Sequence, residues 1–274
     1  MILASTLAVA FSILDYATNS VNERIAGADP AVCLSRFADY PPSKGKLGFP
    51  RCLWEKPFPG NERFWLKDVD FSCASPWNDE GGPIRAGTLI SKRHIIFARH
   101  LPLWRGCRIL FVDRQGEVCP CRIEATKPVG KTDIVIGLLD YEVTPNIKPA
   151  KILPDDFQKH IGDGKGFPII TFNQNEEAVV TEVREFREYL NTDIAVPRPG
   201  WKGLGKRLVS GDSGNPAFLL IGKEPILLFC VLSGGLVGTG PSVFHFRREI
   251  QRTMDELCLG YKLEPFDFSK VSSK

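Results

Sequence analysis

The sequence of 274 residues lacks several features that mark common functional classes. It has 35 basic and 32 acidic residues, a formal net charge of +3, and no long basic stripe of the kind that binds nucleic acid. No apolar run reaches the roughly 20 residues that a membrane-spanning helix needs. There is no repeat at a fixed period and no low-complexity tract. These absences favour a protein that folds around its own core, with no nucleic-acid partner and no membrane span.

The cysteines are even in number but lack the spacing of a zinc site. An even set fits disulfides in an oxidising compartment, while buried free thiols explain the same residues equally well. The closest pair, Cys119 and Cys121, faces Cys107 across a predicted hairpin, so that one of the two could bridge Cys107. We expect no metal and no organic cofactor. The eight cysteines are residues 33, 52, 73, 107, 119, 121, 230 and 258.

The first 60 residues differ from the rest of the chain. Residues 1–14 are largely apolar and contain a small-x-small stretch, which predicts a secretion signal and hence a secreted or extracytoplasmic protein. An amphipathic helix packed on the domain and a fragment of a longer leader are the alternatives. Residues 40–60 are rich in proline, glycine and lysine and predict an exposed connection. We therefore divide the chain into an N-terminal signal-like segment and extension, 1–60, and a domain, 61–274.

Short β-like runs follow at close spacing and predict an all-β fold, an antiparallel sandwich or barrel. Helical spacing is convincing only in 246–259, where Ile250, Met254 and Leu257 share one face. The predicted strands are 87–90, 94–98, 107–112, 117–123, 134–139, 169–172, 178–182, 217–221 and 226–233.

The strongest local motif is the glycine-flanked turn 210–216, Ser-Gly-Asp-Ser-Gly-Asn-Pro. A hydroxyl that attacks a peptide bond needs such a tight turn, which exposes the oxygen of Ser213. The backbone amides of Gly211 and Ser213 can then converge on the developing oxyanion. The alternative is a glycine-rich β-turn with an incidental serine.

A serine hydroxyl needs a base, and the sequence has only four histidines from which to choose. His100 follows two β-like runs, where a strand opens into a loop, and is the candidate base. His94 stands among bulky apolar residues and is interpreted as structural or as a surface residue. His160 lies in a charged, loop-like stretch and His245 at the start of the C-terminal helix. These positions explain both histidines without a catalytic role.

The base in turn needs a carboxylate that orients it and stabilises its charged form. Asp133 directly precedes the apolar run 134–139, and at the start of a buried strand an unpaired carboxylate would be costly. Asp140, at the other end of that run, is the alternative candidate. It is interpreted more simply as a turn residue that ends the strand. Asp163 is a more distant candidate.

These motifs together resemble the trypsin/chymotrypsin-like serine peptidases in content, order and approximate spacing. They are Gly87-Thr-Leu-Ile-Ser, Phe97-Ala-Arg-His100, Thr132-Asp133-Ile-Val-Ile, Gly211-Asp-Ser-Gly-Asn-Pro216 and Ser233-Gly-Gly235. The chain order histidine, aspartate, serine is that of chymotrypsin. The resemblance covers about 69–259 and implies two packed six-stranded antiparallel β-barrels, at roughly 61–150 and 151–245, followed by the helix 246–259.

The resemblance also implies substrate-binding residues. Counting back from the nucleophile puts Arg207 at the floor of the primary pocket, where it would suit an acidic side chain. Ser233, Gly234 and Gly235 resemble the strand that pairs with the substrate backbone. Leu101 stands where many secreted animal members have a cysteine, which suggests a bacterial or divergent member.

The expected function is that of a serine endopeptidase, a hydrolase that cleaves peptide bonds through an acyl-enzyme. Ser213 would be the nucleophile, His100 the general base and Asp133 the orienting acid, with a protein or peptide as substrate. A non-catalytic binding member of the fold and an esterase-like hydrolase are the alternatives. The sequence carries no signal about oligomeric state.

Overall fold

The computed structural model describes most of the chain and shows mainly antiparallel β-sheet with few helices. The all-β prediction is thereby confirmed at the level of the sheets. The described residues are 13–38, 58–75, 85–160, 166–173, 176–193, 201, 203–205, 212–230, 232–234 and 237–271.

The first sheet has five strands in the order β1-β2-β5-β4-β3. Its strands are β1 (Thr88–Leu89), β2 (His94–Ala98), β3 (Arg108–Val112), β4 (Val118–Pro128) and β5 (Ile134–Leu139). The long strand β4 pairs with β3 through its first half and with β5 through its second half, with a register shift between Ile123 and Ala125. Such an irregularity bends a strand, and it allows β4 to pair with both β3 and β5 in a curled sheet.

The second sheet has eight strands in the order β12-β13-β9-β8-β7-β10-β11-β6. All of its pairings are antiparallel except that of β6 with β11. The strands are β6 (Lys151–Ile152), β7 (Phe167–Phe172), β8 (Ala178–Phe186), β9 (Tyr189–Asp193), β10 (Pro216–Ile221), β11 (Glu224–Cys230), β12 (Leu232–Gly234) and β13 (Val237–Pro241).

In the described part of the chain, three α-helices accompany the sheets: α1 (Ile13–Ile25), α2 (Pro30–Cys33) and α3 (Arg247–Leu257). Helix α1 packs on β7 and β10, and its Leu14 and Ala17 join the apolar cluster formed by those strands. Helix α3 buries Ile250 and Met254 on the side that faces β4 and β5. Of the residues described, no helix combines the length and the apolar composition needed to cross a membrane.

The N-terminal residues 13–38 are joined to both sheets by hydrogen bonds. Arg36 donates to the carbonyl oxygens of Ala74 and Val112, and its backbone N–H donates to Glu176. These contacts show that the part of the predicted extension that the structure describes is packed on the domain. The predicted secretion signal stays a prediction, because residues 1–12 lie outside the described residues.

Several predicted details differ from the structure. The predicted helix 246–259 is observed as the slightly shorter α3, while β6, β9 and β13 were not predicted. Strands β9 (YLNTD) and β13 (VGTGP) have little apolar alternation. Their strand conformation depends on the neighbours with which they pair, not on their own composition. The sheets contain five and eight strands, and so they do not match two six-stranded barrels directly.

The predicted bridge from Cys107 to Cys119 or Cys121 is not formed. The Sγ atoms of Cys119 and Cys121 lie 4.0 Å apart, close to the usual range for a weak thiol hydrogen bond and far from bonded contact. Cysteines 33, 73, 107, 119, 121 and 258 form no disulfide bond, whereas Cys52 and the side chain of Cys230 lie outside the described residues.

Candidate active site

His100 stands just beyond the buried strand β2. All five residues of β2 are buried, and the strand ends at Ala98. The backbone N–H of Arg99 donates to the carbonyl oxygen of Asp133 at 2.8 Å, which holds the chain where it leaves the sheet. The imidazole of His100 is 39% exposed, so this histidine faces solvent while its backbone is anchored.

The carboxylate of Asp133 contacts His100 twice. Its Oδ1 accepts the backbone N–H of His100 at 3.0 Å, and its Oδ2 lies 2.7 Å from the ring Nδ1. An ionised carboxylate only accepts hydrogen bonds, so Nδ1 must carry the proton of this contact. In the neutral imidazole Nε2 is then a proton acceptor.

Strand pairing explains why these two residues meet although they are far apart in sequence. Strands β2 and β5 are antiparallel, with Ala98 opposite Ile134 and Phe97 opposite Val135. Asp133 directly precedes β5 and His100 closely follows β2. The register of two apolar strands therefore places the carboxylate beside the imidazole.

The predicted nucleophile lies in a tight turn before β10. The backbone N–H of Asn215 donates to the carbonyl oxygen of Asp212 at 3.3 Å, and Gly214 has a φ of +88°. This φ belongs to the left-handed region, where glycine is favoured over residues with a Cβ. Ser213 is 5% exposed and Asp212 is fully buried.

Gly214 brings this turn close to the end of strand β2, which precedes His100. A Cβ atom added at Gly214 would lie 3.4 Å from the carbonyl oxygen of Ala86 and 3.8 Å from the Cβ of Ala98. Ala98 is the last residue of β2. The turn that contains Ser213, which precedes β10 of the second sheet, is thus packed against the end of β2 in the first sheet. His100 lies two residues beyond that strand end.

The rival acid has another role in the structure. Asp140 lies just beyond the opposite end of β5, where its Oδ1 accepts the backbone N–H of Arg122 at 2.9 Å. The predicted alternative Asp163 lies outside the described residues. Of the two candidate carboxylates that the structure describes, only Asp133 is observed in contact with His100.

The other histidines are placed away from this arrangement. His94 is fully buried at the start of β2, with its Nδ1 2.9 Å from the hydroxyl of Ser91. Burial lowers the pKa of His94 to about 4, which keeps it neutral near pH 7. Burial also lowers the pKa of His245. The side chain of His160 lies outside the described residues.

The structure describes part of the predicted oxyanion hole and part of the predicted substrate-binding site. Arg207, Gly211 and Gly235 lie outside the described residues. Ser233 and Gly234 belong to β12, where they pair with Gly238 and Val237. Strand β12 is at one edge of its sheet, and the backbone of an edge strand can pair with an extended peptide.

Sequence reasoning missed the contacts that hold Trp201 and Gly203 against helices α1 and α2. The indole Nε1 of the buried Trp201 donates to the side-chain oxygen of Asn22 in α1 at 2.9 Å. A Cβ atom at Gly203 would lie 2.7 Å from the ring of Pro30, so only glycine fits this contact. No sequence pattern connects residues so far apart, and only the folded chain reveals them.

Comparison with known proteins gives no assignment. No protein-family model matches the chain, and no curated protein matches it. Within the described residues, no three side chains of the metal-ligating types gather into a group that could hold a metal ion.

Proposed function

We propose that the protein is a serine endopeptidase in which Ser213, His100 and Asp133 form a catalytic triad. The observation that carries this proposal is the double hydrogen bond of Asp133 to His100, next to a glycine turn that holds Ser213. An aspartate on Nδ1 selects the tautomer in which Nε2 can accept the proton of a serine hydroxyl.

In the proposed reaction, Ser213 Oγ attacks the carbonyl carbon of the substrate while its proton passes to Nε2 of His100. The negative oxygen that forms is stabilised by the amides of Gly211 and Ser213. His100 then gives the proton to the leaving amine, the C–N bond breaks, and an acyl-enzyme ester remains. A water molecule repeats these steps, so that the acid product leaves and Ser213 regains its proton.

We further propose that the two sheets are two antiparallel barrels of the chymotrypsin type. An isolated bridge between Phe229 and Ser242 joins β11 to the residue after β13 and supports closure of the second sheet. A bridge between Ala74 and Thr88 adds a short segment beside β1 in the first sheet. The cleft between the barrels is where such peptidases carry their triad.

The edge position of β12 supports a peptide as the substrate. In this proposal the backbone of Ser233 and Gly234 pairs with the substrate chain on the acyl side of the scissile bond. Arg207 at the floor of the primary pocket remains a prediction from the resemblance.

The test is labelling of the full-length protein with a fluorophosphonate probe, followed by peptide mapping. We expect the label on Ser213, and we expect Ser213→Ala and His100→Ala to abolish it. Ser269→Ala, which removes an exposed serine far along the chain, is the control and should label like the unaltered protein. Absence of labelling in a protein with cooperative unfolding would contradict the proposal and favour the non-catalytic binding protein.

A further inference from the structure

A surface groove of about 660 Å³ lies beside helix α3, with a different chemistry on each side. On the side of α3 it is lined by Arg248 and Arg252. On the other side it is lined by apolar residues of two segments, 152–155 and 263–265, among them Pro154, Leu263 and Pro265. Its volume is within the range of known ligand-binding clefts.

Hydrogen bonds hold the two sides of the groove together. Arg247, in the first turn of α3, donates to the carboxylate of Asp155. The side chain of Gln251 donates to the carbonyl oxygen of Tyr261 at 2.9 Å and accepts the backbone N–H of Leu263 at 2.9 Å. The groove is therefore preformed, and a ligand does not have to order it on binding.

The apolar side of the groove presents side chains rather than free backbone donors. Its segment 263–265 runs along β6, where Ile152 donates its N–H to Glu264 at 2.9 Å. Of the residues that point away from β6, Leu263 has its N–H bonded to Gln251, and Pro265 has no N–H. A ligand in the groove is thus recognised through side chains and not by addition of a strand.

The groove carries two positive charges that are not balanced. Arg248 and Arg252 are exposed and lie one turn apart on α3. The carboxylates that line the groove, Asp155 and Asp255, are both engaged in ion pairs with other basic side chains. Within the described part of the chain, neither Arg248 nor Arg252 forms an ion pair. This charge favours an acidic ligand.

The spacing of the two arginines fits an extended peptide. Residues four apart in a helix are separated by about 6 Å along its axis. Alternate side chains of an extended chain are separated by about 6.6 Å and point to the same side, while the residue between them points to the opposite side. A peptide extended along the groove therefore directs alternate side chains to α3 and the intervening ones to the apolar side.

We propose that this groove binds an extended segment of a partner protein that has acidic residues at alternate positions and apolar residues between them. The acidic side chains bind Arg248 and Arg252, and the apolar side chains pack on Leu263 and Pro265. Carboxylates form charge-assisted hydrogen bonds with guanidinium groups, which gives the segment its orientation.

The groove is separate from the candidate active site. Tyr261, just before the segment 263–265, contacts the ring of His94 with 5.3 Å between ring centroids. His94 is the first residue of β2, whereas His100 lies beyond its last residue. The length of a strand thus divides the two sites, and the inference goes beyond the proposed peptidase function without depending on it.

The test measures binding of labelled peptides to the full-length protein by fluorescence anisotropy. The peptides carry the same fluorescein label and amidated ends, and the protein carries Ser213→Ala so that a peptidase cannot consume them. We expect Val-Glu-Val-Glu-Val to bind about five- to tenfold more tightly than Val-Gln-Val-Gln-Val at low salt, because two exposed ion pairs add modestly. The ratio should approach one at about 1 M salt.

Two further peptides test the pattern. Val-Val-Glu-Glu-Val has the same composition but adjacent acids, of which only one faces α3, and should bind severalfold more weakly than the alternating peptide. Ser-Glu-Ser-Glu-Ser keeps the acids and loses the apolar contacts, and should also bind more weakly.

Variants then assign the preference to the groove. The double variant Arg248→Gln and Arg252→Gln should bring the ratio of Glu to Gln affinities close to one. The control, Arg105→Gln with Arg114→Gln, removes two exposed arginines elsewhere and should keep the ratio. Melting temperatures of both variants confirm that they are folded.

Three outcomes would overturn the inference. The first is no saturable binding of the alternating acidic peptide up to about 1 mM protein. The second is equal affinity for the alternating and adjacent arrangements, and the third is an unchanged ratio in the Arg248 and Arg252 variant. The last two would show general attraction of acidic peptides to a basic protein. None of these outcomes bears on labelling of Ser213, so the proposed function is judged separately.

Discussion

Asp133 binds the backbone and the side chain of His100 with its two carboxylate oxygens, at 3.0 Å and 2.7 Å. The backbone contact fixes the position of the carboxylate, and the ring contact fixes the orientation of the imidazole. Because one residue makes both contacts, the geometry depends on the start of β5 and not on a mobile side chain from a distant loop.

Replacing Asp133 by Asn should lower turnover by about 10⁴, because an amide that donates to Nδ1 would leave the proton on Nε2. The measurement is kcat on a cleaved peptide, together with the melting temperature. Asp140→Asn is the matched control at the other end of β5, and turnover should change little there. Full activity in Asp133→Asn combined with loss in Asp140→Asn would show that the acid is misassigned.

Gly214→Ala should reduce labelling of Ser213 and destabilise the protein. The φ of +88° is unfavourable for alanine by about 1 kcal/mol, and the new Cβ would lie in van der Waals contact with the carbonyl oxygen of Ala86, at 3.4 Å, beside the turn of Ser213. Gly106→Ala is the control, since Gly106 has a φ of +87° and no atom within 4 Å of its Cβ position. Both variants incur the backbone cost, and only Gly214→Ala should slow labelling.

Asn22→Ala should lower the free energy of unfolding by about 1–3 kcal/mol, because the indole N–H of the buried Trp201 would lose this acceptor. Urea unfolding is the measurement. Glu23→Ala, at an exposed neighbouring position in α1, should have an effect below about 0.5 kcal/mol. Equal stability of the two variants would argue against a structural role of α1 in holding Trp201.

The buried His94 should make the protein less stable as the pH falls from 6.5 to 4. Its pKa is about 4 in the folded protein against the ordinary histidine value of 6.5 in the unfolded chain, so between these pH values the unfolded chain binds a proton that the folded chain does not. The stability is fully present above pH 6.5 and is lost towards pH 4, by about 2–3 kcal/mol. Urea unfolding at several pH values measures this loss.

His94→Gln is the comparison for this pH dependence, because glutamine does not titrate. The variant should have a lower stability at pH 7, owing to the altered contact with Ser91, and a smaller loss between pH 6.5 and 4. An identical slope in both proteins would show that other groups cause the acid sensitivity.

Sequence patterns predicted much of the sheet structure. The runs His94–Ala98 and Ile134–Leu139 were predicted with the bounds that the structure has, because short runs of β-branched and aromatic residues between turn signals are typical of buried strands. The motif around Ser213 was also visible, since its glycines are needed locally for a tight turn.

The sequence by itself therefore determined most of the strands, the turn at Ser213 and the short set of candidate bases and acids. Only the tertiary structure decided that Asp133, not Asp140, meets His100, because this depends on the register between β2 and β5. It also decided that α1 supports Trp201 and that Arg247 in α3 binds Asp155. Such contacts join residues that are far apart in the chain. They stabilise the protein only after folding has brought the elements together, and so no local sequence pattern predicts them.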